Sequence, residues 1–331
     1  MRYLALVAAV VLAALAWTGY WFYAAHRVED GVEAWAAHQR AQGMQVSWEG
    51  LKVSGFPFRI RVDVAAPHLA WPREPGAPEW RSPHFAAIVQ PWYFRHVVAD
   101  LSGTQYLSAI DQGKRAEVEI SADKGLGSFS NDSNGRLERL SIDLHEAKVV
   151  ADGATLLTAG RLQAHARGGR HAEEMIELAF TTSDAVLPTD GGTRLGKRVE
   201  AAELLCNITG NLPQGSERAA IARWRDDGGT VEVQTLRLDW GPLHLNATGT
   251  VALDEQMRPI GSLTAKVRGY EALIDSAVER GQMERDKAHA AKSVLGLLAK
   301  AGGGTLSVPV TMQNGVASLG PVAVGRLKPL L

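Results

Sequence analysis

From Tyr3 to Ala25 no charged residue interrupts the chain, a run that matches the ~20 residues a helix needs to cross a hydrocarbon core. Its second half carries Trp17, Tyr20, Trp21, Phe22 and Tyr23, rings that favour the membrane–water interface. Arg2 and the terminal amine lie on the other side, which predicts an N-terminus held in the cytoplasm. His26 and Arg27 oppose that orientation, and Glu29 and Asp30 soon follow. Residues 1–27 are therefore expected to be a transmembrane anchor. A cleaved signal peptide is the competing expectation, because Ala14-Leu15-Ala16 has the small-x-small form of a cleavage site. Cleavage there would leave Trp17–Tyr23 as an exposed apolar terminus. On either reading the rest of the chain is exported.

Beyond the anchor the period is helical over 28–43, where Val28, Val32, Trp35 and Ala36 share one face and Gly43 is the stop. A short amphipathic helix is expected there. The period then changes to two. Phe56, Phe58, Ile60, Val62 and Val64 alternate with Pro57, Arg59, Arg61 and Asp63, the pattern of a strand with one buried face. Pro57 places it at a sheet edge or a strand start. Val46 and Trp48 predict a shorter strand before it. Pro67, Pro72, Pro75, Pro78 and Pro83 predict a long loop after it.

Alternation then recurs through Ala116–Ile120, Ile142–Leu144, Leu162–Ala166, Ile176–Phe180, Val231–Leu238 and Leu243–Leu245. A phase slip between Val233 and Leu236 predicts a bulge near Thr235. Asn131–Gly135 and Asp190-Gly191-Gly192 read as turns. Helical spacing returns in Tyr270–Val278 and from Met283 to Lys300, with Gly281 between them and Gly302-Gly303-Gly304 at the end. Two closing strands are joined by Asn314-Gly315, a hairpin signal, and Pro309 predicts that the first is an edge strand. The expected fold class is α+β, mainly β. An N-terminal transmembrane helix precedes a large, curved, mostly antiparallel sheet with C-terminal capping helices. Residues 44–331 would form this extracytoplasmic domain, either as one continuous roll or divided near 210–220.

Composition narrows the function classes. The formal net charge is -1, which gives no electrostatic case for nucleic acid. The single cysteine, Cys206, excludes an intramolecular disulfide and a Cys-rich zinc site, and reads as a small buried hydrophobe. His145, His165 and His171 stand near glutamates without metal-ligand spacing. Gly125-Leu126-Gly127-Ser128 lacks the frame of a nucleophile elbow. Gly302-Gly303-Gly304-Thr305 follows a helix instead of opening one and reads as a C-cap. No catalytic residue, metal ligand or cofactor is expected, and the protein is read as not an enzyme. Trp48, Trp71, Trp80, Trp92, Trp224 and Trp240 are either core anchors or the lining of an apolar cavity.

The segment Trp48-Glu49-Gly50-Leu51-Lys52-Val53-Ser54-Gly55-Phe56-Pro57-Phe58-Arg59, with Gln90-Pro91-Trp92, Gly249–Leu253 and the ending from Asn314-Gly315 to Gly320-Pro321, resembles the domain-of-unknown-function 2125 family of Gram-negative envelope proteins. That family brings no catalytic residues with it. Its general plan is similar to that of AsmA-type lipid transporters, in which an anchor precedes a sheet with an apolar concave face. The resemblance implies a single-pass inner-membrane protein with its bulk in the periplasm, binding or handling phospholipid in an apolar groove. Phe56, Phe58, Ile60, Val62 and Trp92 are the candidate groove liners; plain core beneath the helices is the competing reading of each. The alternative function is a structural or assembly factor that binds another envelope protein.

Overall fold

The computed structural model describes residues 2–74, 76–111, 114–168, 175–188, 194–210, 217–279, 281, 283–301, 305–320 and 322–330. Pro75, His171, Glu173, Glu174, Asp190-Gly191-Gly192, Gly302-Gly303-Gly304 and Pro321 lie outside the described residues. The chain is mainly β and antiparallel, as its alternation predicts, and divides into two compact units: Met1–Gly135 with Ala147–Thr155, and Arg136–Glu146 with Leu156–Leu331.

The first unit opens with a single helix, α1 (Arg2–Ala41). It takes up both the expected anchor at 1–27 and the expected separate helix at 28–43. Nothing at this junction breaks a helix, since no proline intervenes and Gly31 costs only about 1 kcal/mol. Gly43, at φ 94°, ends it. Residues such as Leu4, Val10 and Leu12 are bare, whereas Trp21, Ala24 and Ala25 pack on Ile60. Further along, Ala36 packs with Met44 and Val46.

The strands of this unit are β1 (Gln45–Ser47), β2 (Gly50–Ser54), β3 (Ile60–Ala65), β4 (His68–Ala70), β5 (Glu79–Arg81), β6 (His84–Gln90), β7 (Tyr93–Asp100), β8 (Gly103–Asp111), β9 (Lys114–Ala122), β10 (Lys124–Asn131) and the end of β11 (Leu137–Ala151). They form two antiparallel ladders. One runs β1–β4–β5–β8–β9–β11; the other runs β2–β3–β6–β7–β10. Each pair β1/β2, β3/β4, β5/β6, β7/β8 and β9/β10 is one long strand interrupted by one or two residues.

The interruptions lie side by side. Ala66 N–H donates to Pro83 O, Ser82 N–H to Pro67 O and Leu101 N–H to Gly125 O. Pro67 and Pro83 thus sit where the ladder is already broken and only their carbonyls are needed. The long loop expected from the prolines is replaced by β4 and β5, which pair with each other, and Trp71 N–H donates to Pro78 O beyond their last pair. The expected strand from Phe56 is also shorter. Gly55, at φ 105°, and Pro57 shape a turn, Arg59 N–H closes on Gly55 O, and pairing starts at Ile60, opposite Val89 of β6.

The second unit adds β12 (Ala154–Gly168), β13 (Met175–Val186), β14 (Arg198–Thr209), α2 (Glu217–Asp226), β15 (Thr230–Trp240), β16 (Leu243–Leu253), β17 (Pro259–Arg268), α3 (Tyr270–Glu279), α4 (Arg285–Ala301), β18 (Leu306–Gln313), β19 (Val316–Leu319) and β20 (Val322–Arg326). From β12 onward each strand pairs antiparallel with the next. The chain does not divide near 210–220. β14 and β15 pair from Ala201↔Asp239 to Thr209↔Thr230, so α2 is an insertion between neighbouring strands of one ladder.

The register shifts between Val233 and Leu236, at the bulge the phase slip predicts. Asn314 and Gly315 adopt φ 53° and 73° and close the expected hairpin. Pro309 does not mark an edge, because β18 lies between β17 and β19. Its carbonyl accepts from Gly320 N–H just where β19 ends, so the missing N–H falls beyond that ladder.

The principal core lies beneath α3 and α4. Ile274, Ala288, Ala291, Leu295 and Ala299 pack on Leu243, Ala247, Ala265, Val267, Leu306 and Val308. Beyond this core, Asp254 organises the turn from β16 to β17, accepting from the Arg258 guanidinium at 2.8 Å and from the Gln256 and Arg258 N–H groups at 2.9 Å. The Arg258 side-chain bond, with these amides, holds its carboxyl below the usual range. A lowered carboxyl contributes stability above its unfolded value of about 3.9, and the contribution is lost as pH falls through the folded value. Protection of the Gln256 and Arg258 amides, corrected for intrinsic exchange, is therefore expected to fall below about pH 4. In Asp254→Asn it should be low already at neutral pH and change little on acidification.

Candidate functional site

The cross-strand register aligns residues into rows on one face of the second unit. Ala164, Phe180, Leu204, Leu236, Ala247, Ala265 and Val308 form one row. Ala166, Leu178, Cys206, Val233, Gly249, Leu263 and Val310 form the next. Paired residues in an antiparallel ladder point to the same side, so this is a continuous apolar face. The opposite face is ionic: Arg161 makes two bonds to Asp143, at 2.9 and 2.7 Å, and Arg167 donates to Glu177 at 2.7 Å. The Arg161 bonds hold the Asp143 carboxyl below its ordinary range.

Over β16–β18 the apolar face is roofed by α3 and α4. Over β12–β14 no described helix covers it. Leu140 and Ile142 of β11 extend the uncovered part, and with Leu178, Phe180, Leu204 and Cys206 they line an open concavity of about 250 Å³. Leu140 and Phe180 are each 38 % exposed. Cys206 is buried, and burial pushes its thiol up, so it behaves as the small hydrophobe the sequence predicts. An open concavity lined almost wholly by apolar side chains is a candidate binding surface.

The described residues hold a second concavity of about 400 Å³ beside α3 and α4, lined by Arg194, Asp275, Glu279, His289 and Lys292 among others. Four of its charged groups pair with one another: Lys292 with Asp275 at 2.5 Å, Arg194 with Asp275 at 3.5 Å and with Glu279 at 3.3 Å. Among the described residues no three His, Cys, Asp or Glu side chains come together as a metal site would need.

The five groove liners expected from sequence are not gathered in the uncovered face. They belong to the first unit and separate into two groups. Ile60, fully buried, and Val62 lie inside the β3 layer, Ile60 under Trp21, Ala24 and Ala25 of α1. Phe56, Phe58 and Trp92 stand in turns outside the strands, at 50 %, 70 % and 55 % exposure. Phe56 meets Trp21 edge-on at 5.4 Å and stacks near Phe22 at 6.1 Å; Trp92 lies 5.9 Å from Trp17. The aromatic residues of α1 thus hold these turns, and the capping helix over β3 is α1 instead of α3 or α4. The uncovered face was visible in sequence only as alternation in several separate runs, because register across strands is needed to show that the runs adjoin.

The helix α1 is long and apolar enough to cross a membrane. No curated protein matches the chain. The family profile of DUF2125, uncharacterised proteins conserved in bacteria, matches residues 21–328. With nearly the whole length after the apolar helix covered, the chain belongs to the DUF2125 family.

Proposed function

We propose that this protein is a membrane-anchored lipid-binding or lipid-handling protein of the bacterial envelope, held in the inner membrane by α1 with its bulk in the periplasm. The observation that carries this reading is the uncovered part of the apolar face, from Leu140 and Ile142 across Phe180 to Leu204. Acyl chains match such a surface because each methylene removed from water contributes about 0.8 kcal/mol without a polar partner. The concavity is open and lies on paired strands, so a chain can be laid on it and taken off without unfolding the sheet. An anchor also tethers the chain that carries this surface to a source of lipid.

The test uses the full chain in nanodiscs containing a phospholipid with a diazirine in its acyl chain. Irradiation followed by peptide mapping is expected to place adducts on β11–β14 as well as on α1. Adducts confined to α1 would mean that only the bilayer around the anchor was touched, and the lipid reading would fall.

A further inference from the structure

We propose that the turns Gly55–Arg59 and Gln90–Phe94 form a second membrane contact that seats the first unit on the outer interface of the bilayer. It rests on α1 spanning the membrane, and is independent of whether the sheet binds lipid.

Three hydrogen bonds fix the level of these turns. Trp17 Nε1 donates to Pro57 O at 3.1 Å, Tyr20 Oη to Pro91 O at 2.7 Å and Trp21 Nε1 to Arg59 O at 3.0 Å. At 1.5 Å per residue, Trp17 lies about 23 Å from Arg2 along the helix and Trp21 about 29 Å. A hydrocarbon core is about 30 Å thick. With Arg2 at one boundary, both turns are therefore held at the opposite boundary. There they present Phe58, Trp92, Tyr93 and Phe94 to the surroundings, flanked by the exposed cations Arg59 and Arg95. Exposed rings with adjacent guanidinium groups are the composition of an interfacial belt facing anionic headgroups.

The bonds also remove a cost. An indole N–H or a turn carbonyl near hydrocarbon lacks water to satisfy it, and here each satisfies the other. An apolar helix alone leaves a following domain free to pivot. Two turns bonded to that helix set the unit's tilt.

The test labels single introduced cysteines in the full chain with an environment-sensitive fluorophore, in nanodiscs containing lipids with nitroxide quenchers at shallow or deep positions. Cys206 is buried with its thiol pushed up, so label goes to the introduced site. Sites are Phe58→Cys and Trp92→Cys, with Leu12→Cys in the span and Glu74→Cys as the distant reference. Glu74 adjoins Arg73, whose guanidinium donates to Gln42 O, a point about 38 Å along the helix from Trp17. Positions 58 and 92 are expected to be quenched by the shallow nitroxide at least about threefold more than position 74, as interfacial rings would be. Equal quenching at 58, 92 and 74 would overturn the proposal, and so would a position 12 that the deep nitroxide does not reach. Hydroxyl-radical footprinting of the unaltered chain gives an independent measure. Oxidation of Phe58 and Trp92 should fall severalfold on transfer from a thin amphipol belt into a bilayer, and an unchanged rate would also overturn it.

Discussion

Replacing Ile60 by alanine is expected to cost the first unit about 2–5 kcal/mol, the range for emptying a closed aliphatic site. Ile60 is fully buried, and its side chain is the floor on which Trp21, Ala24 and Ala25 of α1 rest. The loss falls on the attachment of the helix to the sheet. Pulse proteolysis of the full chain in detergent should show earlier cleavage around Gly55–Arg59. Phe58→Ala, two positions away in the same alternating run, is expected to change stability by no more than about 0.5 kcal/mol, because a side chain 70 % exposed makes few contacts to lose. Similar costs at the two positions would mean that they share one environment, and the arrangement of α1 over β3 would be wrong.

The second large effect concerns the uncovered face. Phe180→Asp is expected to reduce acyl-chain photoadducts on β11–β14 to about a tenth, the consequence of placing a carboxylate, costly to desolvate, where a chain would lie. Phe180 is already 38 % exposed, so the aspartate has access to water and the strand should still pair with β12 and β14. The same substitution should leave adducts on α1 unchanged, which separates a lost surface from a lost membrane. Retention of the β11–β14 adducts in Phe180→Asp, with unchanged circular dichroism, would remove the uncovered face as the binding surface.

Much of the architecture was legible from periodicity. The bulge between Val233 and Leu236, the Asn314-Gly315 hairpin and the helices near 270–279 and 285–301 each rest on local chemistry: a slipped phase, a turn needing φ > 0, and a stripe at helical spacing. Local rules erred where a distant partner intervened. Pro309 reads as an edge residue, yet the end of β19 leaves it room inside the sheet. The prolines from 67 to 83 read as a loop, yet Pro67 and Pro83 fall at the line where the ladders already break. Residues 27 and 28 look like a boundary because composition changes there, but a helix ends only where its hydrogen bonding is broken, and no proline does so before Gly43.

The sequence by itself determined the apolar N-terminal helix with its aromatic end, the mainly antiparallel β class and the two helices near the C-terminus. Each is written in residues close together along the chain. The tertiary structure alone decided which apolar residues are core and which are surface. Phe56, Phe58, Ile60 and Val62 share one alternating pattern, and only the seat of α1 on β3 buries Ile60 while the Gly55–Arg59 turn turns Phe58 outward. In the same way, Phe180 and Ala265 occupy one row of the sheet. Helices α3 and α4 extend over Ala265 and stop short of Phe180. Burial is a property of what lies across from a residue, and the residues across from these are far away in the chain.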